Sequence, residues 1–131
     1  MEKLSSKAVA LLKGKNFVSL GTINRDGSPH VTTLWVDTDG RNVLVNTAKK
    51  RVKDLNVARD PRVSLAVFDL TNPYYRLHLD GKVVKQITGK KADDHIDSLS
   101  AKYTGVKKYK KSSPAEQRVI YVIEPTHIRE Q

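Results

Sequence analysis

Three β-prone runs, Phe17–Ile23 (FVSLGTI), His30–Asp37 (HVTTLWVD) and Arg41–Thr47 (RNVLVNT), follow one another with only turn residues between them. A parallel neighbour needs a crossover of a dozen residues or more, so links this short leave only antiparallel pairing. Asp26-Gly27 in the first link is a hairpin signal, because Asp and Gly tolerate positive φ, and Thr38-Asp39-Gly40 turns the chain again. An antiparallel meander is expected from Phe17 to Thr47.

On either side the hydrophobic period changes. Ser5–Lys15 reads as a short helix: Ser5 or Ser6 caps it, Ala8, Val9, Leu11 and Leu12 give an apolar side, and Gly14 ends it. Lys49–Arg59 (KKRVKDLNVAR) predicts a second helix, with Val52, Leu55 and Ala58 recurring every third residue and Pro61 beyond its end. Arg62–Asp69 resumes β character. After a loop at Leu70–Pro73, Tyr74–Ile87 predicts a long β segment with Gly81 as a bulge or bend. In Lys90–Gly105 the residues Ile96, Leu99 and Tyr103 share a helix face, and Gly105 is the stop. Val106–Gln117 is polar and proline-bearing, hence a loop. Arg118–Ile128 (RVIYVIEPTHI) is apolar on both faces, which predicts a central strand.

About six strands and three helices, linked mostly as hairpins, predict a mainly β, α+β fold: a small antiparallel barrel or sheet. No repeat of 20 to 50 residues is present. At 131 residues, one domain spanning 1–131 is expected, and 38% hydrophobic with 29% charged residues suits a globular chain. Cysteine is absent, which excludes disulfides, thiolate metal sites and a cysteine nucleophile. No apolar run approaches ~18 residues, and the N-terminus is too polar for a signal peptide, so a cytoplasmic protein without a membrane segment is expected. The net charge of +10 attracts anions of any kind.

The densest positive charge lies in "NTAKKRVK". Thr47 stands where an N-cap belongs, and Lys49, Lys50, Arg51 and Lys53 fall in what reads as the first helical turns. Cations there oppose the positive end of the helix dipole by a few tenths of a kcal/mol each. An anion at the helix start, held by backbone N–H groups and by Arg51 and Lys53, would resolve that conflict. The blander alternative is a solvated basic helix face. A second basic run, Val106–Lys111 (VKKYKK), reads as a charged loop before it reads as a nucleic-acid contact. His30, His78, His95 and His127 lack ligand spacing, so no metal site is expected. No nucleophile motif, P-loop or dinucleotide fingerprint occurs, and no catalytic residue is assigned; an enzyme of this kind would rely on a bound cofactor. Trp35, the single tryptophan, is either a core anchor or the flank of a planar ring.

Taken in order, "LGTINRDGSPHVTTLWVDTDG", "NTAKKRVK", "ARDPRVSLAVFD", "YYRLHLDGKVV", "HIDSLSAKY" and "RVIYVIEPTHI" resemble the pyridoxamine 5′-phosphate oxidase-like proteins. The closest likeness is to their deazaflavin (coenzyme F420)-dependent oxidoreductase branch. The resemblance runs from Phe17 to about Val84 and resumes near both ends of the last third. It implies a six-stranded antiparallel split β-barrel of the FMN-binding type with flanking short helices, paired as a homodimer with cofactor sites at the interface.

It further implies that Thr32, Thr33, Leu34 and Trp35 run beside the flavin or deazaflavin ring. Asn46, Thr47, Lys49, Lys50, Arg51 and Lys53 would hold the cofactor phosphate, and the partner strand would contribute around Tyr75, Arg76 and His78. Coenzyme F420 is the expected cofactor, with FMN the alternative, since both place a phosphate in this pocket. The acidic tail of F420 would suit the surplus lysines, including Lys107 to Lys111. The implied activity is hydride transfer from F420H2 to an unsaturated small molecule. An FMN-binding oxidase or flavin reductase of the same fold, or a non-catalytic F420 carrier, are the rivals. Nucleic acid is not an expected partner.

Overall fold

A computed structural model describes residues 2–131. Helix α1 (Ser6–Lys13) is capped by Ser5, whose hydroxyl accepts the Ala8 N–H at 3.0 Å, and it buries Ala8, Leu11 and Leu12. Strands β1 (Phe17–Ile23) and β2 (Pro29–Trp35) form the expected hairpin, and the two-residue β3 (Asp37–Thr38) pairs with β4 (Val43–Ala48). Helix α2 (Val52–Arg59), β5 (Arg62–Asp69), β6 (Asn72–Ile87), α3 (Lys90–Thr104) and β7 (Arg118–Glu130) complete the chain.

All pairings are antiparallel, in the order β2-β1-β5-β6-β7-β4-β3. The two edges of this sheet, β2 and β3, are separated in sequence by Val36 alone. A sheet whose opposite edges are joined by one residue has to curl round on itself, so the topology makes it a half-barrel.

The expected meander therefore needs correcting. The run His30–Asp37 is two strands, and β2 is not a ladder neighbour of β4. The described residues form seven strands where six were counted. The cause is local. Tyr103 at the end of α3 accepts the Val36 N–H at 3.1 Å and donates to the Asn16 carbonyl, while Lys102 Nζ takes the Val36 carbonyl at 2.7 Å. With both of its backbone polar groups held by α3, Val36 has none left for a ladder.

β7 is buried on both faces from Arg118 to Ile123, as its composition suggested. The main core lies inside the curl, where Leu12, Val18, Leu20, Leu77, Tyr121 and Ile123 pack together. Gly81 marks a register shift against β7; a Cβ there would meet the Glu124 carbonyl oxygen at 2.6 Å, so the position admits no side chain without movement. Strand β6 starts at Asn72 and takes in Pro73, shortening the expected loop to Leu70–Thr71. Helix α3 buries Ile96, Leu99 and Tyr103 and ends at Gly105 with φ +80, both as expected.

Helix α2 departs most from its sequence pattern. It begins at Val52, three residues later than expected, and its inward face is Lys53, Asp54, Asn56 and Val57. Val52 and Leu55 are 52% and 56% exposed, and Ala58 is exposed beside them. The apolar stripe points outward because the inner face meets a polar rim. Asn56 Nδ2 donates to Thr22 Oγ1 and Asn24 Oδ1, each at 3.0 Å, and matched polar partners of this kind outweigh the period of the apolar residues.

Candidate cofactor site at the split of the barrel

The β3–β4 register pairs Asp37 with Leu44 and Thr38 with Val43. Continued backwards it would set Trp35 against Asn46 and Leu34 against Thr47, but the ladder ends at Val36. The free edge of β2 and the second half of β4 thus form the two lips of the split, and each carries an unpaired row of backbone groups. Thr32–Trp35 lie on one lip and Asn46–Ala48 on the other. Each lip holds a buried threonine hydroxyl, Thr32 Oγ1 and Thr47 Oγ1, with no hydrogen-bond partner among the described residues. A buried hydroxyl left unpaired costs about 1–3 kcal/mol, so both positions are suited to receive a polar ligand.

From the β4 lip the chain turns into α2 through Lys49, Lys50 and Arg51. Thr47 is not the N-cap: Arg51 holds that position, without a side-chain cap, and Thr47 is still in the strand opposite Val119. Nor is the first turn all cationic, because Asp54 lies in it. Asp54 accepts the Lys50 N–H at 2.9 Å, the Tyr121 hydroxyl at 2.7 Å and Lys49 Nζ at 3.4 Å. Burial pushes its carboxyl up, but these donors outweigh burial and hold it below the usual carboxylate range. Burial and the Asp54 carboxylate push the Tyr121 hydroxyl the other way, far upward. Lys50 adopts φ +73, the one positive φ of a non-glycine residue among the described residues.

Lys53 is the unusual group. It is only 8% exposed, and among the described residues no hydrogen bond or ion pair holds its ammonium. Burial first, then the nearby charges of Arg51 and Arg118, lower its pKa, with Asp54 opposing weakly. A lysine this little exposed, close to the like charges of Arg51 and Arg118, is an arrangement that an anion would relieve. The basic turn is also one wall of a groove of about 420 Å³, whose other wall is Ser112–Gln117.

Arg118 was not singled out from the sequence. Its Nε donates to Asn46 Oδ1 at 3.0 Å, its Nη1 to Glu116 at 2.9 Å, and its guanidinium lies 4.9 Å from the Tyr109 ring centroid. Glu116 is held down to about 2: burial raises it, and Ser112 and Arg118 more than compensate. The signal was present, as a lone cation opening the apolar run RVIYVI. Asp54 and Tyr121 left no such mark, because only the fold brings them together.

The expected site residues divide accordingly. Thr32, Thr47, Arg51 and Lys53 converge on the split and the turn. The side chain of Asn46 is fully engaged, with Nδ2 on the Ala92 carbonyl at 3.0 Å and near His95 Nδ1 at 3.1 Å, so it ties α3 to β4. Lys49 reaches Asp54 and Gln86, and Lys50 is exposed. Thr33 points outward, Leu34 packs on the core, and Trp35 stacks on Tyr103 with centroids 5.2 Å apart, the anchoring alternative for the tryptophan.

Tyr75, Arg76 and His78 stand elsewhere. β7 meets β4 at Arg118 and meets β6 near them at Arg129 and Glu130, the other end of the strand. At about 3.3 Å per residue the two ends are roughly 35–40 Å apart along β7. Tyr75 is buried against Glu130 and Lys7, and burial first, then Glu130, pushes its hydroxyl up to about 12; Arg76 and His78 are exposed. His95 lies between Asn46 and Asp37, 3.2 Å from the latter, and no group of metal-ligating side chains occurs among the described residues. No described helix is long and apolar enough to cross a membrane.

Solved structures share this architecture. An F420 reductase superposes with a TM-score of 0.79 at 27% identity, over 96% of this chain and 98% of that one. A conserved hypothetical protein of Mycobacterium tuberculosis matches with a TM-score of 0.74 at 24% identity, over 98% and 85%, which bears on the fold alone. The family model for pyridoxamine 5′-phosphate oxidase matches residues 4–131. With the curled antiparallel sheet and its split already described, that match assigns the chain to the pyridoxamine 5′-phosphate oxidase family, whose fold and oxidoreductase character it shares.

Proposed function

We propose that the protein is an F420H2-dependent reductase. The observation that carries this is Lys53, a lysine only 8% exposed whose ammonium has no acidic hydrogen-bond partner among the described residues, set near the charges of Arg51 and Arg118 at the lip of the split. The chain's own residues fit a phosphate-bearing planar cofactor. Arg51 and Lys53 would take the phosphate by charge-assisted hydrogen bonds, with Thr47 Oγ1 as a further donor. The unpaired edge of β2 at Thr32–Trp35 would run beside the ring, and Thr32 Oγ1 is free to bond its polar rim. When bound, the reduced deazaflavin would supply the hydride to an unsaturated acceptor, a conjugated carbonyl compound being the class the resemblance suggests. The protein's share is to hold both partners in line and exclude water.

F420 is favoured over FMN by two features. One is the likeness to an F420 reductase at 27% identity. The other is the groove beside Lys49–Arg51, which could receive an acidic tail leaving the phosphate.

The working form would be a homodimer. The outward stripe Val52, Leu55 and Ala58 is an apolar surface that a second copy would cover, and the exposed Val31 stands on an open sheet face, with Ser19, Ser64, Ala66 and His78, that it could cover as well. Arg76 and His78, too far along β7 to reach the basic turn of their own chain, would then serve the partner's site.

Titrating F420 and FMN separately into the apo protein, at fixed ionic strength and followed by fluorescence, tests the proposal. Tight F420 with weak FMN supports it, and oxidation of F420H2 in the presence of enone acceptors would follow. The reverse order supports an FMN-binding oxidase or flavin reductase. F420 binding without turnover on any acceptor would indicate a carrier, and binding of neither would remove the assignment.

A further inference from the structure

Asp54 is a carboxylate placed where an anion is to bind, which on charge alone is unfavourable. Its contacts explain the placement. The turn from β4 into α2 passes through Lys50 at φ +73, a conformation that residues with a Cβ rarely adopt. Asp54 Oδ2 accepts the N–H of that residue at 2.9 Å, and Oδ1 accepts the Tyr121 hydroxyl at 2.7 Å. Tyr121 is fully buried on β7, directly opposite Val45 of β4, so the far end of this chain of bonds is fixed in the sheet. The Lys49 N–H is held separately by the Gln117 carbonyl at 2.9 Å.

We propose that Asp54, anchored by Tyr121, is a positioning residue for the anion site: it locks the left-handed turn at Lys50 and so directs Arg51 and Lys53 toward the bound phosphate. This rests on the cofactor reading given above. The role is separable from that of a counter-charge by the sign of its effect. A counter-ion competes with the ligand for Lys53, so deleting it tightens anion binding. A positioning group lost from the turn loosens binding, although the site has become more positive.

The experiment is a set of F420 and FMN titrations on the wild type, Asp54→Ala, Asp54→Asn and Tyr121→Phe, well below the Tm of each. Asp54→Ala is expected to bind the cofactor at least about tenfold more weakly, the scale of losing bonds to a charged group. Asp54→Asn keeps an acceptor oxygen for the Lys50 N–H and is expected to recover most of that loss. Tyr121→Phe, which removes one hydroxyl, is expected to weaken binding several-fold and covers the case in which Asp54→Ala does not fold. A purely structural role would lower Tm and leave the affinities measured below it unchanged. Equal or tighter binding by Asp54→Ala overturns the proposal, as does unchanged affinity in Tyr121→Phe. If the wild type binds neither cofactor, the functional reading falls and takes this one with it; wild-type binding with unaffected variants sinks only the positioning role.

Discussion

Replacing Lys53 with methionine should move stability and affinity in opposite directions. Methionine keeps the length and apolar stem of the lysine, so the packing of α2 on the barrel is preserved. What disappears is a cation that is 8% exposed and sits near Arg51 and Arg118. Because burial depresses the Lys53 pKa in the folded state, the unfolded chain holds this proton more tightly. The charged lysine is therefore a destabilising element at neutral pH, relieved only as pH rises through the depressed value toward the ordinary lysine value. Removing it should raise the Tm of the apo protein, with 1 kcal/mol corresponding to about 3–5 °C for a domain of this size. Cofactor affinity should fall by about 1.5–3 kcal/mol, the range for a hydrogen bond to a charged group, or roughly 12- to 150-fold. Thermal melts with and without cofactor, together with the fluorescence titrations, measure both. A Lys53→Met variant with a lower apo Tm and undiminished affinity would refute the reasoning, since Lys53 would then be a structural cation rather than a ligand.

Other perturbations test other links. Gly81→Ala places a methyl 2.6 Å from the Glu124 carbonyl oxygen and should destabilise by about 1–3 kcal/mol in a denaturant melt; an unchanged midpoint would mean that the bulge yields freely. Glu116, held at about 2 in the folded protein against 4.5 for a free glutamate, contributes stability that is complete above pH 4.5 and lost as pH falls toward 2. Glu116→Gln should flatten that part of the acid-stability curve, and a curve of wild-type slope would show that the Arg118 pair does not matter there. Charges placed on the outward surfaces, Val31→Glu and Leu55→Glu, should shift a dimer toward monomer in sedimentation velocity. An assembly of unaltered mass would exclude those surfaces from the interface.

Local chemistry made much of this protein legible in advance. Short links with Asp-Gly turns could only give antiparallel hairpins, the serine and glycine ends of α1 and α3 closed those helices where expected, and an apolar-on-both-sides run could only be the interior strand β7. These features depend on neighbours within a few residues, which a sequence displays directly. The candidate site was half legible for the same reason. A run of Lys and Arg at a strand-to-helix junction advertises an anion, but not which of its members is buried.

What the sequence could not show depends on contacts across long separations. The break at Val36 exists because Tyr103 and Lys102, more than sixty residues away, take its backbone groups, and that break turns a meander into a split barrel with two facing lips. The apolar period of α2 pointed to the wrong face because Asn56 finds Thr22 and Asn24, residues from another hairpin. Asp54 and Tyr121, and Asn46 and Arg118, meet only when β4 pairs with β7. Periodicity records which face of an element is apolar. Only the tertiary structure decides what that face meets, because the energy of a buried polar group is set by its partner, and the partner is chosen by the fold.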